Sequence, residues 1–404
     1  MAVPKLRFKE FDEDLTESKL VELTLWASGG TPAKDIPEYW GDDIPLISGA
    51  SMHTNQLYES DVKITRLGLQ KGSKLAPKDS ILILVRGSML FNKIPMGITL
   101  GDVAFNQDVK CIRPKQELAP QFLFQWLHAK ENTIQNKVTA TGIGAGKLDT
   151  ADLQNLKLYK PSSEEQTKIA SFLSAVDEKI NQLTQKQELL SQYKQGMMQK
   201  LFSQQLRFKA DDGSEFGEWE EKALKTIARI YDGTHQTPNY VEDGVPFYSV
   251  EHVTANNFSK TKFIAEDVFL DELKRVQLEK NDILLTRIGD IGTSKLIDWD
   301  VRASFYVSLA LIKVDKNHNS SFVNQYIKSI FFQKELHERT IHVAFPKKIN
   351  LGEIGLCLIR LPCLAEQTKI ANFLSAIDQK IEVVAQQIEQ AKQWKKGLLQ
   401  QMFV

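Results

Sequence analysis

Between residues 164 and 202, apolar side chains fall at Ile169, Leu173, Val176, Ile180, Leu183, Leu190, Met197 and Leu201. Their steps alternate between three and four, with interruptions at Gln187 and Lys194, which is the seam of a helix that packs on another helix. The same rhythm returns 201 residues later at Ile370, Leu374, Ile377, Ile381, Val384, Ile388, Leu398 and Met402, with Lys395 at the step of Lys194. The repeat is literal: EEQTKIASFLSAVDEKI at 164–180 becomes AEQTKIANFLSAIDQKI at 365–381. About half of some 38 positions are identical, which marks an internal duplication. A helix of that length is a rod of roughly 57 Å. Ser162 and Glu165 form a capping-box pattern at the start of the first copy, whereas Cys363 replaces the serine in the second and leaves Glu366 alone.

The segments before the two helices diverge more but keep common punctuation. LRFK at 6–9 recurs at 206–209, and SGGTP at 28–32 is matched by DGTHQTP at 232–238. Short apolar strands follow, IPLIS at 44–48 and VPFYS at 245–249. Next come KDSILILVRG at 78–87 and KNDILLTRIGD at 280–290, each a polar turn entering a buried strand that closes on an arginine and a glycine. Single strands are expected over 103–112 and 303–313, then helices from Pro120 to about Lys130 and from Phe322 to about Leu336. Lys147 and Leu148 repeat as Lys348 and Ile349. The fold class is therefore α+β: two pseudo-symmetric globular lobes joined by two long antiparallel helices forming a coiled coil. The boundaries are 1–163 and 204–364 for the lobes, 164–203 and 365–404 for the helices. Antiparallel packing would put the lobes at opposite ends.

Composition narrows the function. The 404 residues are 42% hydrophobic and 25% charged, which describes folded domains. Lysines and arginines number 51 and so do the acids, so any binding to nucleic acid requires localised positive charge. Cys111, Cys357 and Cys363 show no metal-ligand spacing or disulfide framework, and reduced thiols are expected. The charged start, MAVPKLRFKEFDED, and the lack of a long apolar run point to a cytoplasmic, non-membrane protein. No NPPY or DPPY tetrapeptide of an adenine methyltransferase occurs. TGIGAGKLD at 141–149 resembles a phosphate cradle, but Thr141 stands where a P-loop needs glycine and Leu148 where it needs a hydroxyl.

The EQTKIAxFLSAxDxKI helices, the SGGTP-type turn, the DILLTRIGD-type strand and the lobe-helix-lobe-helix order resemble the specificity subunits of type I restriction-modification systems. The first lobe departs in its opening, where DEDLTESKL stands against GEWEEKAL at 217–224 and the tryptophan is missing, which questions how closely the opening segments pack. The resemblance implies a subunit without catalytic residues or cofactor of its own. Each lobe would be a target-recognition domain for one half of an asymmetric double-stranded DNA site. The helices would set the spacing and dock two methyltransferase subunits carrying S-adenosylmethionine, while restriction subunits would use ATP and Mg. Two other classes remain open at this stage: a nuclease with its own recognition domains, and a coiled-coil scaffold.

Within that reading the candidate DNA contacts lie where loops leave the shared framework. They are Thr31 and Lys34 in the first lobe's glycine turn and Thr234, His235 and Gln236 in the second's. Arg86 and Arg287, taken as equivalent, close the buried strands and would reach guanine edges or form framework salt bridges. Lys93, Lys147, Lys295, Lys347 and Lys348 would meet phosphates. Ile169, Leu173, Val176, Ile180, Ile370, Leu374, Ile377 and Ile381 are expected in the helix seam or a partner interface. Lys168, Lys179, Lys186, Lys194 and Lys200 form either a solvated face or a partner contact.

Overall fold

A computed structural model describes residues 3–142 and 144–403. Met1 and Ala2 of the charged start, Ile143 of the glycine loop and the last residue lie outside the described residues.

The long helices are Ser163–Phe202 and Leu364–Met402. The chain divides into two compact units, and neither coincides with a lobe plus its following helix. Residues 1–184 and 386–404 form one unit; residues 185–385 form the other. Each unit thus combines a lobe, the first half of the helix that follows it, and the second half of the other helix. Within the first unit Ile169, Leu173 and Val176 share a core with Leu398, Leu399 and Met402 and with the lobe residues Phe122, Trp126 and Leu158. In the second, Ile370, Leu374 and Ile377 join Met198, Leu201 and Phe202 against Phe322 and Tyr326. The expected seam residues are therefore lobe core as well as helix seam, with Ile180 and Ile381 only partly buried at its edge.

The repeated motif can be read residue by residue from its bonds. Arg7 of the first LRFK forks onto Glu165, with Nε and a terminal nitrogen donating at 2.8 and 2.7 Å. Arg207 does the same to Glu366 at 3.1 and 2.6 Å. Glu165 therefore does not complete the capping box: Ser162 Oγ accepts from its backbone at 3.4 Å, but its carboxylate turns to the arginine. Gln166 accepts from the Ala119 amide at 2.8 Å and Gln367 from the Asn319 amide at 2.9 Å, tying each helix to the loop before the lobe's own helix. Phe8 meets Phe172 edge-on, and Phe208 meets Phe373 likewise.

Lys194 and Lys395, the polar interruptions of the seam, face carboxylates of the antiparallel helix segment. Lys395 Nζ donates to Asp177 at 2.6 Å, and Gln125 of the first lobe donates to the same carboxylate at 2.8 Å. In the second unit Lys194 donates to Asp378 at 2.7 Å, joined by Gln325 at 2.7 Å. Lys194 thus belongs to the seam and not to an outer lysine stripe, and Lys168 pairs with Glu10. A partly buried polar layer of this kind helps specify which register two helices adopt.

The lobes share a core topology, to which the first adds Gln56–Leu57 in its larger sheet and Lys74–Ala76 in its smaller one. Strand Val109–Pro114 lies between Thr24–Ser28 and Ile81–Leu84, all antiparallel, as Leu309–Val314 lies between Ala228–Asp232 and Ile283–Ile288. A smaller sheet contains a parallel pair in each lobe, Ala104 with Leu46 and Ser304 with Phe247. Three expectations are corrected here. The apolar runs at 103–112 and 303–313 are two strands each, broken at Asn106–Asp108 and Tyr306–Ser308. The helix expected from Phe322 to Leu336 is two, Ser320–Ile327 and Ile330–Glu338, because Ser329 restarts it by capping the Phe332 amide. The third concerns the arginines. Val109 pairs with Leu84 while Leu309 pairs with Thr286, so Arg287 occupies the place of Val85, and the counterpart of Arg86 is Ile288. A one-residue slip turns a side chain to the other face.

The opening strands pair alike despite the missing tryptophan, Thr16 with Lys160 and Glu220 with Leu361. Trp219 packs on Phe322 and donates to Glu366 at 3.1 Å. Leu15 leaves a small gap beside Phe122, Trp126 and Glu165 instead.

Candidate nucleic-acid interface

Each lobe opens a groove over its small sheet; the glycine turn walls it in the first lobe, and the 249–254 segment with Asp290 walls it in the second. The backbone dictates where each turn lies. Gly30 donates to the Phe105 carbonyl at 3.0 Å and Thr234 to the Phe305 carbonyl at 3.1 Å, so the turn lies on the broken strand. A Cβ on Gly29 or Gly233 would fall well inside van der Waals contact of those carbonyl oxygens. Glycine is required by the close approach of two backbones. Gly29→Ala and Gly233→Ala are each expected to cost about 1–3 kcal/mol and to loosen the turn, read as a lower melting temperature together with faster limited proteolysis of the turn.

The first groove, of about 520 Å³, is lined by Thr31, Lys34, Trp40, Ser48, Asn106 and Gln107 among others. The second, of about 530 Å³, has Tyr240, Phe247, Ser249, Lys262, Asp290 and Tyr306. Strand register makes the correspondence explicit: Trp40 and Tyr240 sit opposite Ile64 and Ile264. Position by position the scaffold is kept and the chemistry changed, with Val62 replaced by Lys262 and Asn106 by Tyr306. Lys262 lies over the Tyr240 ring at 4.5 Å from its centroid. An aromatic face beside hydrogen-bonding groups and a cation is a surface on which base edges and phosphates can be engaged.

The expected contact residues are spread over several elements. Thr31 and Lys34 line the first groove, Thr31 donating to Gln107 at 2.7 Å. In the second lobe Thr234 is buried in the turn, and His235 pairs with Asp232 at 2.6 Å. Gln236 is exposed on the same turn, outside the second groove's lining. Arg86 and Lys147 are cross-strand neighbours, as are Ile288 and Lys348. Neither Arg86 nor Arg287 has a carboxylate partner among the described residues. The two arginines differ in burial: Arg86 is exposed, whereas Arg287 is half-buried, donates to the Val307 carbonyl at 3.4 Å, and has its pKa lowered by burial. Lys147 pairs with Asp149 at 2.9 Å, and Lys93 and Lys347 are exposed. Lys295 lies over the Trp299 ring.

Sequence reasoning missed Asn106 and Gln107, whose signal was the polar triplet 106–108 inside an apolar run, and Tyr306 and Ser308, which flank Val307 and carry no such signal. Lys328 of the second lobe lies outside both groove linings; desolvation, with the charge of Lys194 adding to it, pushes its ammonium down to about 8. Cys111 and Cys357 are buried, and burial pushes the Cys357 thiol up to about 12. No group of three or more metal-binding side chains, and no helix long and apolar enough to cross a membrane, occurs among the described residues.

Comparison with known proteins places the chain in one class, the non-catalytic DNA-recognition subunits of restriction-modification complexes. The chain belongs to the type I restriction modification DNA specificity domain family, which it matches twice, over residues 12–191 and 217–393. It is 30% identical over 407 residues to the type I restriction enzyme MjaVIII specificity subunit of Methanocaldococcus jannaschii, covering 96% of this chain and 91% of the relative. It is 29% identical over 182 residues to the EcoR124I/EcoR124II specificity subunit of Escherichia coli, 45% of each chain. In fold it is similar to the crystal structure of a type I restriction-modification S subunit from M. genitalium, with a TM-score of 0.65 at 18% identity over 100% of this chain and 99% of that one.

Proposed function

We propose that each lobe reads one half of an asymmetric, bipartite double-stranded DNA site, and that the paired helices hold the two readers at a set spacing. The observation that carries this is the repeated groove: one scaffold, two different linings. A symmetric reader would have kept Trp40, Val62 and Asn106 in both copies. Exposed Leu189, Tyr193 and Val383 give the helices apolar surface for two methyltransferase subunits. Those subunits would supply S-adenosylmethionine and the transfer to adenine; restriction subunits would supply ATP- and Mg-dependent cleavage. The complex would act in the cytoplasm.

Groove side chains would supply base readout, while Arg86, Lys93, Lys147, Lys295, Lys347 and Lys348 would neutralise phosphates. The half-buried Arg287 would support the loop below Lys348 and contribute less to base contact. Expressed with its methyltransferase partner in a host lacking such systems, the chain should produce adenine methylation in one split motif, read by methylome sequencing. Methylation at unrelated sites, or at a continuous palindrome, would defeat the proposal.

A further inference from the structure

The loop from His342 to Lys347 carries the most exposed large apolar side chains among the described residues, Val343 and Phe345, both essentially fully solvated. Its stem is braced. Ile341 donates to the Lys348 carbonyl at 2.8 Å, Lys348 also bridges Ile288, and Gly289 donates to the Lys347 carbonyl at 2.8 Å. The His342 ring packs on that of His337, with centroids 4.5 Å apart. A phenylalanine is thus held out into water on a fixed support. Cations adjoin it along the chain: Lys347 and Lys348 follow it, and no acidic residue occurs between Glu338 and Glu353, while Asp290 of the supporting hairpin accepts from Thr286 at 2.8 Å. In the first lobe the corresponding loop, counted back 201 residues from Lys348 to Lys147, has Gly144 in the place of Phe345. The loop is common to both lobes; the ring is present in one.

We propose that Phe345 is a wedge that inserts between stacked bases of the duplex bound by the second lobe, while Lys347 and Lys348 hold the adjoining phosphates. The inference rests on the reading of the lobes as DNA binders and adds a residue and a mode to it. An apolar ring pushed into a duplex buries its face against bases and parts one step. The charge pattern favours a polyanion over a protein surface as its occupant, because two lysines beside an exposed ring match the phosphates next to a base step. Pyrimidine–purine steps part most easily, so the second half-site or its flank should contain one at the point of insertion. The first lobe, with glycine there, should impose no such requirement.

The test uses the complex assembled with its methyltransferase subunits and duplexes carrying its own methylated motif. 2-Aminopurine is placed in turn at each purine of the second half-site and flank other than the methylated adenines. One position should brighten on binding by the wild type and stay dark with Phe345→Ala, whose affinity should fall roughly tenfold or more. Phe345→Trp should restore both. Lys347→Ala and Lys348→Ala should weaken binding and its salt dependence while keeping the bright position. Unchanged affinity and fluorescence with Phe345→Ala, at an unchanged melting temperature, would overturn the wedge and leave the DNA reading intact. Loss of subunit assembly by Phe345→Ala in the absence of DNA would show that the loop docks on protein instead. Failure of the wild-type complex to bind any duplex would overturn both.

Discussion

Arg7→Ala is expected to destabilise the first unit by about 3–5 kcal/mol, the cost of leaving a buried charge without its partner. Glu165 is 2% exposed and the Arg7 side chain 16%. The fork is the only ion pair that carboxylate makes among the described residues, and hydrogen bonding to Glu165 is the main influence raising the Arg7 pKa. The equivalent Arg207→Ala should cost less, because Trp219 Nε1 would still donate to Glu366. Arg7→Lys should recover only part of the loss, since an ammonium cannot make two parallel bonds to one carboxylate. Chemical denaturation of variants that keep only Trp126 or only Trp219 of the six tryptophans, read by fluorescence, follows each unit separately and checks the order. Equal, small losses for Arg7→Ala and Arg207→Ala would show that the forks do not hold the LRFK segments to the helices.

Exchanging a lobe should succeed or fail according to what travels with it. The first lobe's core takes in Leu398, Leu399 and Met402, with Phe403 against the Phe122 ring at 5.5 Å. Replacing residues 1–163 alone by the lobe of a related subunit therefore sets a foreign core on native helix segments. Mismatched contacts of this kind cost about 1–3 kcal/mol each. Replacing 1–184 together with 386–404 keeps the core whole. The larger exchange is expected to assemble, change one half of the methylated motif completely and leave the other half unaltered. The smaller one should melt earlier and methylate weakly. Thermal melting with methylome sequencing reads both. Should the smaller exchange match the larger in both respects, the contact-defined units would not be the units of folding.

What could be read from the sequence followed from how each feature is encoded. The long helices announce themselves because each buries a long seam with few polar interruptions and keeps the EQTK cluster whose bonds fix its start. The lobe framework was visible in turns and buried strands for the same reason. Side-chain pairing between distant segments was not visible: nothing local to Lys194 or Asp378 states that they meet. The equivalence of Arg86 and Arg287 failed on a single residue. The turns before the strands, Asp79 and Asn281, both with positive φ, fix the true offset at one residue more than that of the helices. The grooves were hardest to read, since their linings differ between copies and repetition cannot point to them.

The two lysine–carboxylate layers have a further meaning in terms of symmetry. Each long helix carries an aspartate in its first half and a lysine in its second, Asp177 with Lys194 and Asp378 with Lys395. Such a helix is complementary to an antiparallel copy of itself, the isologous pairing of a two-fold dimer. A dimer of identical halves can see only palindromes, because its operator must mirror its own axis. Tethering the halves in one polypeptide keeps the self-complementary joint and releases the two grooves to drift apart. The joint keeps the self-complementarity of a homodimer, while on the proposed reading the recognised sequence would be freed from two-fold symmetry.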